Sequence, residues 1–228
     1  MKLSIIMPVY NEEKTIREIL AKINAVQLSI DKEIIIVDDF STDSTREILR
    51  KIKDRNVKIL YHKKNGGKGS AIRTGLQYIT GDIIIIQDAD LEYNPEEYSR
   101  LLQPILDGKT EVVYGSRYKG KITGPNLLSH LYGNKILTLI TRILYLQNIS
   151  DMETCYKVFK KEVISGINLK ARRFDFEPEI TAKIIKKGYK INEVPITYRS
   201  RLFDEGKKIT WKDGIKALYY LIKYRFTN

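Results

Sequence analysis

The chain has few cysteines and histidines, the residues that form disulfides and thiol or imidazole sites. A single cysteine, Cys155, stands among 228 residues and excludes an internal disulfide, as fits a reducing compartment. The two histidines, His62 and His130, form no recognisable pattern with it. A lone cysteine can be a nucleophile, but the sequence favours a small, buried hydrophobic residue.

Long hydrophobic runs are also missing. No window reaches the roughly 18 uncharged apolar residues of a membrane-spanning helix. The nearest approach, Leu127–Leu146, carries Lys135 and Arg142. The opening "MKLSIIMPVYNEE" turns polar after a short apolar run, which predicts that no signal peptide is present. We therefore expect a cytoplasmic protein without a transmembrane anchor.

Negative charge is scarce in the last third of the chain. The net charge is +12, and residues 1–156 contribute only +2 of it, from 22 Lys and Arg against 20 Asp and Glu. Residues 157–228 contain 18 basic and 8 acidic side chains, a net +10. This excess predicts an anionic partner such as phosphate, nucleic acid or an acidic membrane face, with a solvated basic surface as the alternative.

The sequence does contain a regular alternation of apolar strands and amphipathic helices over its first 115 residues. This order predicts an α/β fold with a mostly parallel sheet covered on both faces. The expected strands are "LSIIMPVY", "EIIIVDD", "VKILYH", "DIIIIQ" and "EVVYGSR". Beyond Arg117 the pattern changes to a loop, "YKGKITGPN", and then to a mainly helical, basic part. No repeat or linker divides the chain, so we expect one domain over residues 1–228.

Polar side chains collect directly after four of these strands. Because ligands of open parallel sheets bind beyond the carboxyl ends of the strands, the four clusters predict a common site. The clusters are Tyr10–Glu12, Asp38–Asp39, Asp88–Asp90 and Gly115–Arg117.

Three carboxylates at alternate positions, Asp88, Asp90 and Glu92, follow the strand "DIIIIQ". Side chains two apart in an extended segment face the same way, and a kink after the strand would bring them closer. Converging carboxylates need a cation, and hard oxygen ligands favour Mg²⁺ or Mn²⁺. We interpret them as a metal site that leaves positions open for phosphates. Helix capping before Pro95 is the alternative.

The glycine-rich segment "KNGGKGSAIRTG" lacks the spacing of a Walker A loop, and no G-x-G-x-x-G follows the first strand. A P-loop site and a dinucleotide-binding fold are therefore excluded. Two interpretations of the segment remain, a loop that holds Lys68 near bound phosphate or a plain flexible turn.

Taken together and in this order, the motifs resemble the family 2 glycosyltransferases with the Rossmann-like GT-A fold. In the first half these motifs are "IIMPVYNEE", "IIIVDDFSTDST", "NGGKGSAIRTG", "IIIIQDADLEY" and "VVYGSR". The later "SDMETCYKVFKKEVI", "FEPEITAKI", "VPITYRSR" and "EGKKITWKDG" are similar to the subgroup of dolichyl-phosphate mannose synthase and polyprenyl-phosphate glycosyltransferases. The resemblance covers almost the whole chain.

The resemblance implies a set of site residues. The pocket for the base and ribose of a nucleotide sugar would comprise Pro8, Tyr10, Glu12, Val37 and Asp39. The DxD element, whose metal bridges the donor diphosphate, would comprise Asp88, Ala89 and Asp90, with Glu92 where mannose synthases often carry Gln. The residues that meet phosphate groups would be Arg117, Arg201 and either Lys207 or Lys208 on a later loop.

The implied reaction is an inverting transfer of a hexose from GDP-mannose or UDP-glucose to a polyprenyl or dolichyl phosphate, and UDP-N-acetylglucosamine also fits as donor. A phosphate acceptor is already ionised near pH 7 and needs positioning more than a base. The alternative is transfer to a saccharide or protein hydroxyl, which needs a carboxylate base such as Asp151 or Glu153. We interpret Asp151 and Glu153 mainly as residues that hold the active-site loop.

A polyprenyl phosphate has an anionic head and an apolar tail, which suits the basic C-terminal part. Residues 1–117 would then bind the nucleotide sugar, and residues 118–228 would bind the acceptor and face the membrane. The Leu127–Leu146 segment and the terminal "WKDGIKALYYLIKYRF" combine apolar rows with basic and aromatic residues, as helices in a bilayer interface do. Core packing is the alternative, and for the terminal helix it is equally good. We expect peripheral attachment to the cytoplasmic face of the membrane.

Two other classes are disfavoured. Nucleic-acid binding would explain the isoelectric point near 9.5, but the acidic clusters would repel a polyanion. A nucleotidyltransferase shares the acidic metal site but usually has a basic, glycine-rich loop after the first strand, where this chain reads "MPVYNEE". We expect no nucleic-acid partner.

Overall fold

The computed structural model describes residues 1–125, 128–201 and 211–227. Its strands are β1 (Lys2–Val9), β2 (Asp31–Asp38), β3 (Val57–Tyr61), β4 (Ile83–Ile86), β5 (Val112–Thr123), β6 (Lys157–Lys160) and β7 (Asn192–Arg199). Its helices are α1 (Ile16–Ala25), α2 (Thr45–Arg50), α3 (Lys68–Leu76), α4 (Tyr98–Leu106), α5 (Leu128–Tyr145), α6 (Lys161–Ile164), α7 (Phe176–Lys186) and α8 (Trp211–Phe226), and a 3₁₀ turn (Pro95–Glu97) leads into α4.

The strands form one mostly parallel sheet in the order β3-β2-β1-β4-β6-β5-β7. The central strands are continuous apolar runs because helices cover both faces. All four isoleucines of β4 are buried, as are Ile34 to Val37 of β2. The predicted α/β fold with a mostly parallel sheet is confirmed.

Helices join the core through apolar stripes. In α1 the apolar residues recur at helical spacing and are all buried: Ile16, Ile19, Leu20 and Ile23. The crossover helix between β3 and β4, α3, packs on β1 and β2. Each strand–helix unit thus buries its apolar surface against its neighbours.

The register brings three strand ends together. In the parallel pair of β1 and β2, Val9 lies opposite Asp38, and the Asp39 N–H donates to the Val9 carbonyl at 2.8 Å. On the other side of β1, Ile6 lies opposite Ile86 of β4. The polar residues that follow these strands therefore start from the same edge of the sheet.

One strand interrupts the parallel order in a way that the repeating pattern did not predict. The short β6 lies between β4 and β5 and is antiparallel to both. Because two antiparallel steps restore the direction, β5 runs the same way as β4, and its carboxyl end reaches the common edge. β6 has only four residues, which is too few to show a period of its own.

The predicted loop "YKGKITGPN" is wrong over its first six residues, because β5 continues as a strand to Thr123. The extension pairs in parallel with β7, after a register shift between Ser116 and Lys121. Gly120 lies in this shift, where a Cβ atom would come within 2.0 Å of the Ile196 carbonyl oxygen. The irregular register hides the strand from a search for alternating residues.

The last part of the chain packs helix on helix. The terminal helix α8 contacts both α5 and α7, and the Tyr145 hydroxyl donates to the Leu221 carbonyl at 2.7 Å. Among the helices in the described ranges, none combines the length and apolarity that a bilayer crossing requires.

Candidate active site

A cavity of about 290 Å³ opens at the carboxyl edge of the sheet. Its lining comes from the end of β1, from the segments after β1, β2 and β4, from the start of α3, and from later parts of the chain. The lining residues are Pro8, Val9, Tyr10, Glu12, Asp39, Asn65, Gly67, Lys68, Asp88, Ala89, Asp90, Glu92, Tyr93, Arg117, Glu153, Cys155, Arg173, Phe174, Glu177, Tyr198 and Arg201. Most of the site residues predicted from the sequence therefore meet in one place.

Two predicted residues in the described part of the chain, Val37 and Asp151, do not belong to this lining. Val37 is fully buried within β2, where it belongs to the sheet core. Asp151 is also fully buried, behind Arg117. Lys207 and Lys208 lie outside the described residues.

The turns that leave the strands have unusual backbone conformations. Asn11, Phe40 and Leu91 follow β1, β2 and β4, and each has a left-handed φ, of 52°, 65° and 62°. Non-glycine residues rarely adopt this conformation, and such strain concentrates at functional sites. At Leu91 it produces the expected kink, which lets Asp90 Oδ1 accept a hydrogen bond from the Glu92 N–H at 3.1 Å.

Asp39 organises the glycine-rich loop that starts α3. Its carboxylate accepts hydrogen bonds from the Gly66 N–H at 2.8 Å and the Gly67 N–H at 2.6 Å, and lies 2.7 Å from His62 Nδ1. Gly67 has a φ of +89°, and a Cβ atom there would come within 2.4 Å of the Arg172 carbonyl oxygen. The segment is therefore a constrained loop, as the sequence interpretation with Lys68 near the ligand requires, and not a plain turn.

Each acidic residue after β4 contacts a polar or cationic group. Lys68 Nζ lies 2.9 Å from Asp88 Oδ2, and Arg201 Nη2 lies 3.1 Å from Asp90 Oδ2. Glu92 accepts hydrogen bonds from the Tyr198 hydroxyl at 2.9 Å and from the Arg201 N–H at 3.0 Å. Arg201 also lies 3.3 Å from Glu12, so it bridges the ends of β1 and β4.

The carboxylates fit a divalent cation in their chemistry. The cavity lining contains seven acidic and four basic side chains, which leaves negative charge to be compensated. Burial, and then the nearby Glu92 and Asp88, raise the pKa of Asp90, whereas Arg201 lowers it in part. In the described part of the chain, however, no three His, Cys, Asp or Glu side chains converge closely enough to hold an ion. In this conformation Arg201 Nη2, and not an ion, lies against Asp90, at 3.1 Å.

A buried ion pair lies behind the cavity wall. Arg117 donates to Asp151 from Nε at 2.8 Å and from Nη2 at 2.7 Å, and its backbone N–H donates to the same carboxylate at 2.9 Å. Burial alone would lower the pKa of Arg117, but Asp151 raises it well above the ordinary value. The guanidinium also lies over the Tyr198 ring, 5.2 Å from its centroid. Arg117 is thus a permanent, fixed positive charge at the cavity.

Several lining residues were missed as site residues by sequence reasoning. Glu177 and Phe174 fall in or beside the quoted motif "FEPEITAKI", but nothing in its spacing distinguishes a cavity-facing acid from one that caps a helix. The other missed residues are Val9, Asn65, Gly67, Tyr93, Cys155, Arg173 and Tyr198, and Glu153 was considered as a base or as a residue that holds the active-site loop. Their positions depend on tertiary contacts.

Comparison with known proteins identifies the family to which this chain belongs. The chain matches Glycosyl transferase family 2 over residues 4–167. It is 31% identical to the UDP-N-acetylglucosamine–dolichyl-phosphate N-acetylglucosaminyltransferase of Methanococcus voltae, a match that covers 96% of this chain and 94% of that protein. The chain belongs to glycosyltransferase family 2 and is a glycosyltransferase.

Other relatives are longer than this chain. The dolichol-phosphate mannosyltransferase of Pyrococcus furiosus is 30% identical over 98% of this chain, which spans 64% of that protein. Among solved structures, glucosyl-3-phosphoglycerate synthase from Mycobacterium tuberculosis, in complex with Mn²⁺, UDP and phosphoglyceric acid, superposes with a TM-score of 0.74. That match has 19% identity and covers 100% of this chain and 79% of the other, and it identifies the fold as GT-A.

Proposed function

We propose that this glycosyltransferase moves a hexose from a nucleotide sugar, GDP-mannose or UDP-glucose, to a polyprenyl or dolichyl phosphate with inversion at the anomeric carbon. The names of the relatives support the acceptor, since the Methanococcus and Pyrococcus proteins are both named for dolichyl or dolichol phosphate. They differ in the named sugar, so the donor has to be determined by experiment.

The donor nucleotide would occupy the part of the cavity next to β1 and β2. Pro8, Tyr10, Glu12 and Asp39 line that part and would surround the base and ribose. Lys68 and Ala89 lie farther along the strand ends, where the diphosphate would follow. Residues 1–117 would thus bind most of the donor, and residues 118–228 would complete the cavity and bind the acceptor.

Asp88 and Asp90 are the residues that would hold a Mg²⁺ or Mn²⁺ ion, with Glu92 as a third oxygen donor. When bound, the ion supplies positive charge to the diphosphate that leaves the sugar. Among known structures with this fold, the Mycobacterium synthase has been crystallised with Mn²⁺ and UDP and also with Mg²⁺ and UDP. Arg201 would then contact phosphate in place of Asp90, and Lys207 or Lys208 would be a further phosphate contact, as the family resemblance implies.

One observation carries the choice of acceptor. Both carboxylate oxygens of Asp151 are bound by Arg117, so this residue is committed to an ion pair and is a poor general base. A phosphate monoester needs no base, because its oxygen is already ionised. That oxygen would form the new bond to the anomeric carbon while the bond from this carbon to the nucleoside diphosphate breaks. Arg117 and Arg201 would orient and stabilise the two phosphates.

The surface beside the site suits a lipid acceptor. In the described residues, nine of the thirteen exposed large hydrophobic side chains lie on two packed helices and their ends, and they are 46–87% exposed. On α5 they are Tyr132, Ile136, Leu139, Ile143 and Leu146, and on α8 they are Ile215, Tyr219, Ile222 and Phe226. Arg142, Lys223 and Arg225 lie among them. An apolar face edged by basic residues would dock on an anionic membrane, at its cytoplasmic face.

Transfer to a saccharide hydroxyl is the second candidate, and one observation favours it. Glu153 lines the cavity, and burial followed by the charge of Glu177 raises the pKa of its carboxyl group. A carboxylate with a raised pKa is a better general base once it is ionised. The two candidates share the fold and the donor, so only the acceptor separates them.

The test is a panel of nucleotide sugars offered with a short-chain polyprenyl phosphate, with a simple saccharide, or with neither, each with and without Mn²⁺. We expect release of nucleoside diphosphate that depends on the polyprenyl phosphate and on the ion, and a product of inverted configuration. Turnover with the saccharide alone would replace this proposal with the second candidate. A product of retained configuration would refute a single displacement.

A further inference from the structure

Two acidic side chains on the cavity wall remain without a role in the proposed reaction with a phosphate acceptor. Glu177 lies in the first turn of α7 and is only 4% exposed, and Glu153 lies in the segment between Asp151 and Cys155 and is half-buried. Both line the cavity together with Cys155. They are separate from the Asp88–Glu92 segment that would hold the metal.

Each of these glutamates has one buried oxygen that makes no hydrogen bond within the described residues. Glu177 Oε1 lies 3.0 Å from Lys68 Nζ, but its Oε2 has no partner, and neither has Oε1 of Glu153. A buried acceptor without a donor costs folding free energy, so such groups usually have a functional explanation. A ligand with several hydroxyl groups would supply the missing donors.

A neighbouring acid, Glu179, shows that a buried carboxylate in this helix does not in general lack hydrogen-bond donors. Glu179, two residues after Glu177 in the same helix, is also fully buried. Its oxygens accept hydrogen bonds from the Lys170 and Ala171 N–H groups and from Lys183 Nζ. Glu179 is therefore satisfied by the protein, whereas Glu177 keeps an acceptor that the protein does not use.

We propose that Glu153 and Glu177 form the subsite for the transferred sugar and accept hydrogen bonds from its hydroxyl groups, and that they select neutral hexoses over uronic acids. This rests on the proposed function, because it concerns the sugar of the nucleotide donor. The position supports it, since Lys68 ties Glu177 to Asp88, and Asp88 would hold the metal on the diphosphate.

Selection against uronic acids follows from charge. Two carboxyl groups on one wall disfavour a third negative charge beside them. Two of the cations at the cavity are already paired, Lys68 with Asp88 and Glu177, and Arg117 with Asp151.

The experiment measures affinities by calorimetry for the wild type, Glu153→Gln and Glu177→Gln. The ligands are UDP, UDP-glucose and UDP-glucuronic acid, or GDP, GDP-mannose and GDP-mannuronic acid if the wild type prefers guanine. Each is titrated with Mn²⁺ present. Glu162→Gln, an exposed acid outside the cavity, is the matched control. Thermal melting shows that each variant is folded.

We expect the wild type to bind the neutral nucleotide sugar at least tenfold more tightly than its uronate. Both Gln variants should lose roughly tenfold or more in affinity for the neutral sugar, as expected for hydrogen bonds to a charged acceptor, and keep their affinity for the nucleoside diphosphate within about twofold. The Gln variants should also show a smaller difference in affinity between the neutral nucleotide sugar and its uronate than the wild type does. Glu153→Gln is the cleaner variant, because Glu177 also contacts Lys68.

Two results overturn this subsite while leaving the proposed function intact. One is a wild type that binds the uronate as well as the neutral sugar. The other is a pair of Gln variants that bind the neutral nucleotide sugar as tightly as the wild type does. A loss of affinity for the nucleoside diphosphate as large as the loss for the nucleotide sugar would count in the same way. A wild type that binds neither nucleoside diphosphates nor nucleotide sugars overturns the subsite and the proposed function together.

Discussion

Asp151 holds Arg117 by three hydrogen bonds of 2.7 to 2.9 Å, one from the backbone N–H and two from the guanidinium. The carboxylate is fully buried, and the arginine is 8% exposed at the cavity. Such a bidentate pair fixes the plane of the guanidinium as well as its charge. We therefore propose that Asp151 is a positioning residue for Arg117.

We expect Asp151→Asn to lower both stability and turnover. Removing one charge of a buried pair leaves the other uncompensated, which costs about 3 kcal/mol in the free energy of unfolding. Urea denaturation measures this cost, and release of nucleoside diphosphate measures the loss of turnover. Unchanged stability and turnover in Asp151→Asn would contradict this role.

The double variant Arg117→Met, Asp151→Leu is the control for this prediction. Replacing a buried ion pair by apolar residues of similar size often restores stability. We expect it to be more stable than Asp151→Asn and still inactive, because the positive charge beside the phosphates is gone. Recovery of turnover in the double variant would show that Arg117 has no role in the reaction.

The sequence was sufficient to predict the parallel core and the edge where the site lies. The apolar runs of β1, β2 and β4 are long enough to identify strands, and polar residues follow each of them. What it could not predict is the part that depends on pairing between distant segments. The insertion of β6 and the extension of β5 along β7 have no local pattern, because partners in the sheet determine them.

The same limit applies within the site. Asp88 and Asp90 were predictable because they directly follow a buried strand. Glu177 and Glu179 look alike in the sequence, as two acids in the first turn of one helix, where a favourable helix dipole would explain both. The two acids differ only in tertiary packing. Residues 168–171 pack against α7 and donate hydrogen bonds to Glu179, whereas Glu177 faces the cavity.

Glu33 offers a test of stability that is independent of function. It accepts hydrogen bonds from the Ser4 hydroxyl at 2.5 Å, Lys2 Nζ at 2.8 Å and the Thr80 N–H at 2.7 Å, and so ties β2 to β1 and to the approach to β4. Burial by itself raises the pKa of Glu33, but these hydrogen bonds outweigh it and lower that pKa to about 2. The folded state therefore favours the ionised carboxylate.

Because the folded pKa is depressed, the stabilisation from Glu33 is complete above the unfolded pKa of about 4.3 and is lost as the pH falls toward 2. We expect Glu33→Gln to be less stable by about 1–2 kcal/mol at pH 7, and the difference to shrink below pH 4. Urea midpoints at pH 7, 4 and 2.5 measure it. Glu18→Gln, at an exposed pair with Lys22, should change little at any pH. If the wild type and Glu33→Gln differed in stability by the same amount at all three pH values, the ionised Glu33 carboxylate would not be the cause of the difference.

Metal removal tests the acidic cluster. We expect a chelator to abolish turnover and added Mn²⁺ to restore it, because the charge on the leaving diphosphate would otherwise be uncompensated. Asp90→Asn should weaken Mn²⁺ binding at least tenfold, measured by calorimetry with nucleoside diphosphate present. Glu96→Asn, beside the site but outside the cavity lining, is the control. Undiminished Mn²⁺ affinity in Asp90→Asn would remove this residue from the proposed metal site.

The exposed faces of α5 and α8 should mediate membrane binding. Ile143 and Tyr219 are 65% and 59% exposed, and burying such a side chain in a bilayer interface contributes about 1.5–3 kcal/mol. We expect Ile143→Glu and Tyr219→Glu each to reduce binding to anionic liposomes roughly tenfold in flotation assays, with weaker binding of the wild type at high salt. Tyr78→Glu, at a 40% exposed tyrosine after α3, is the matched control and should float like the wild type. If all three variants float equally, or the wild type stays soluble at low salt, these helices do not form the membrane face.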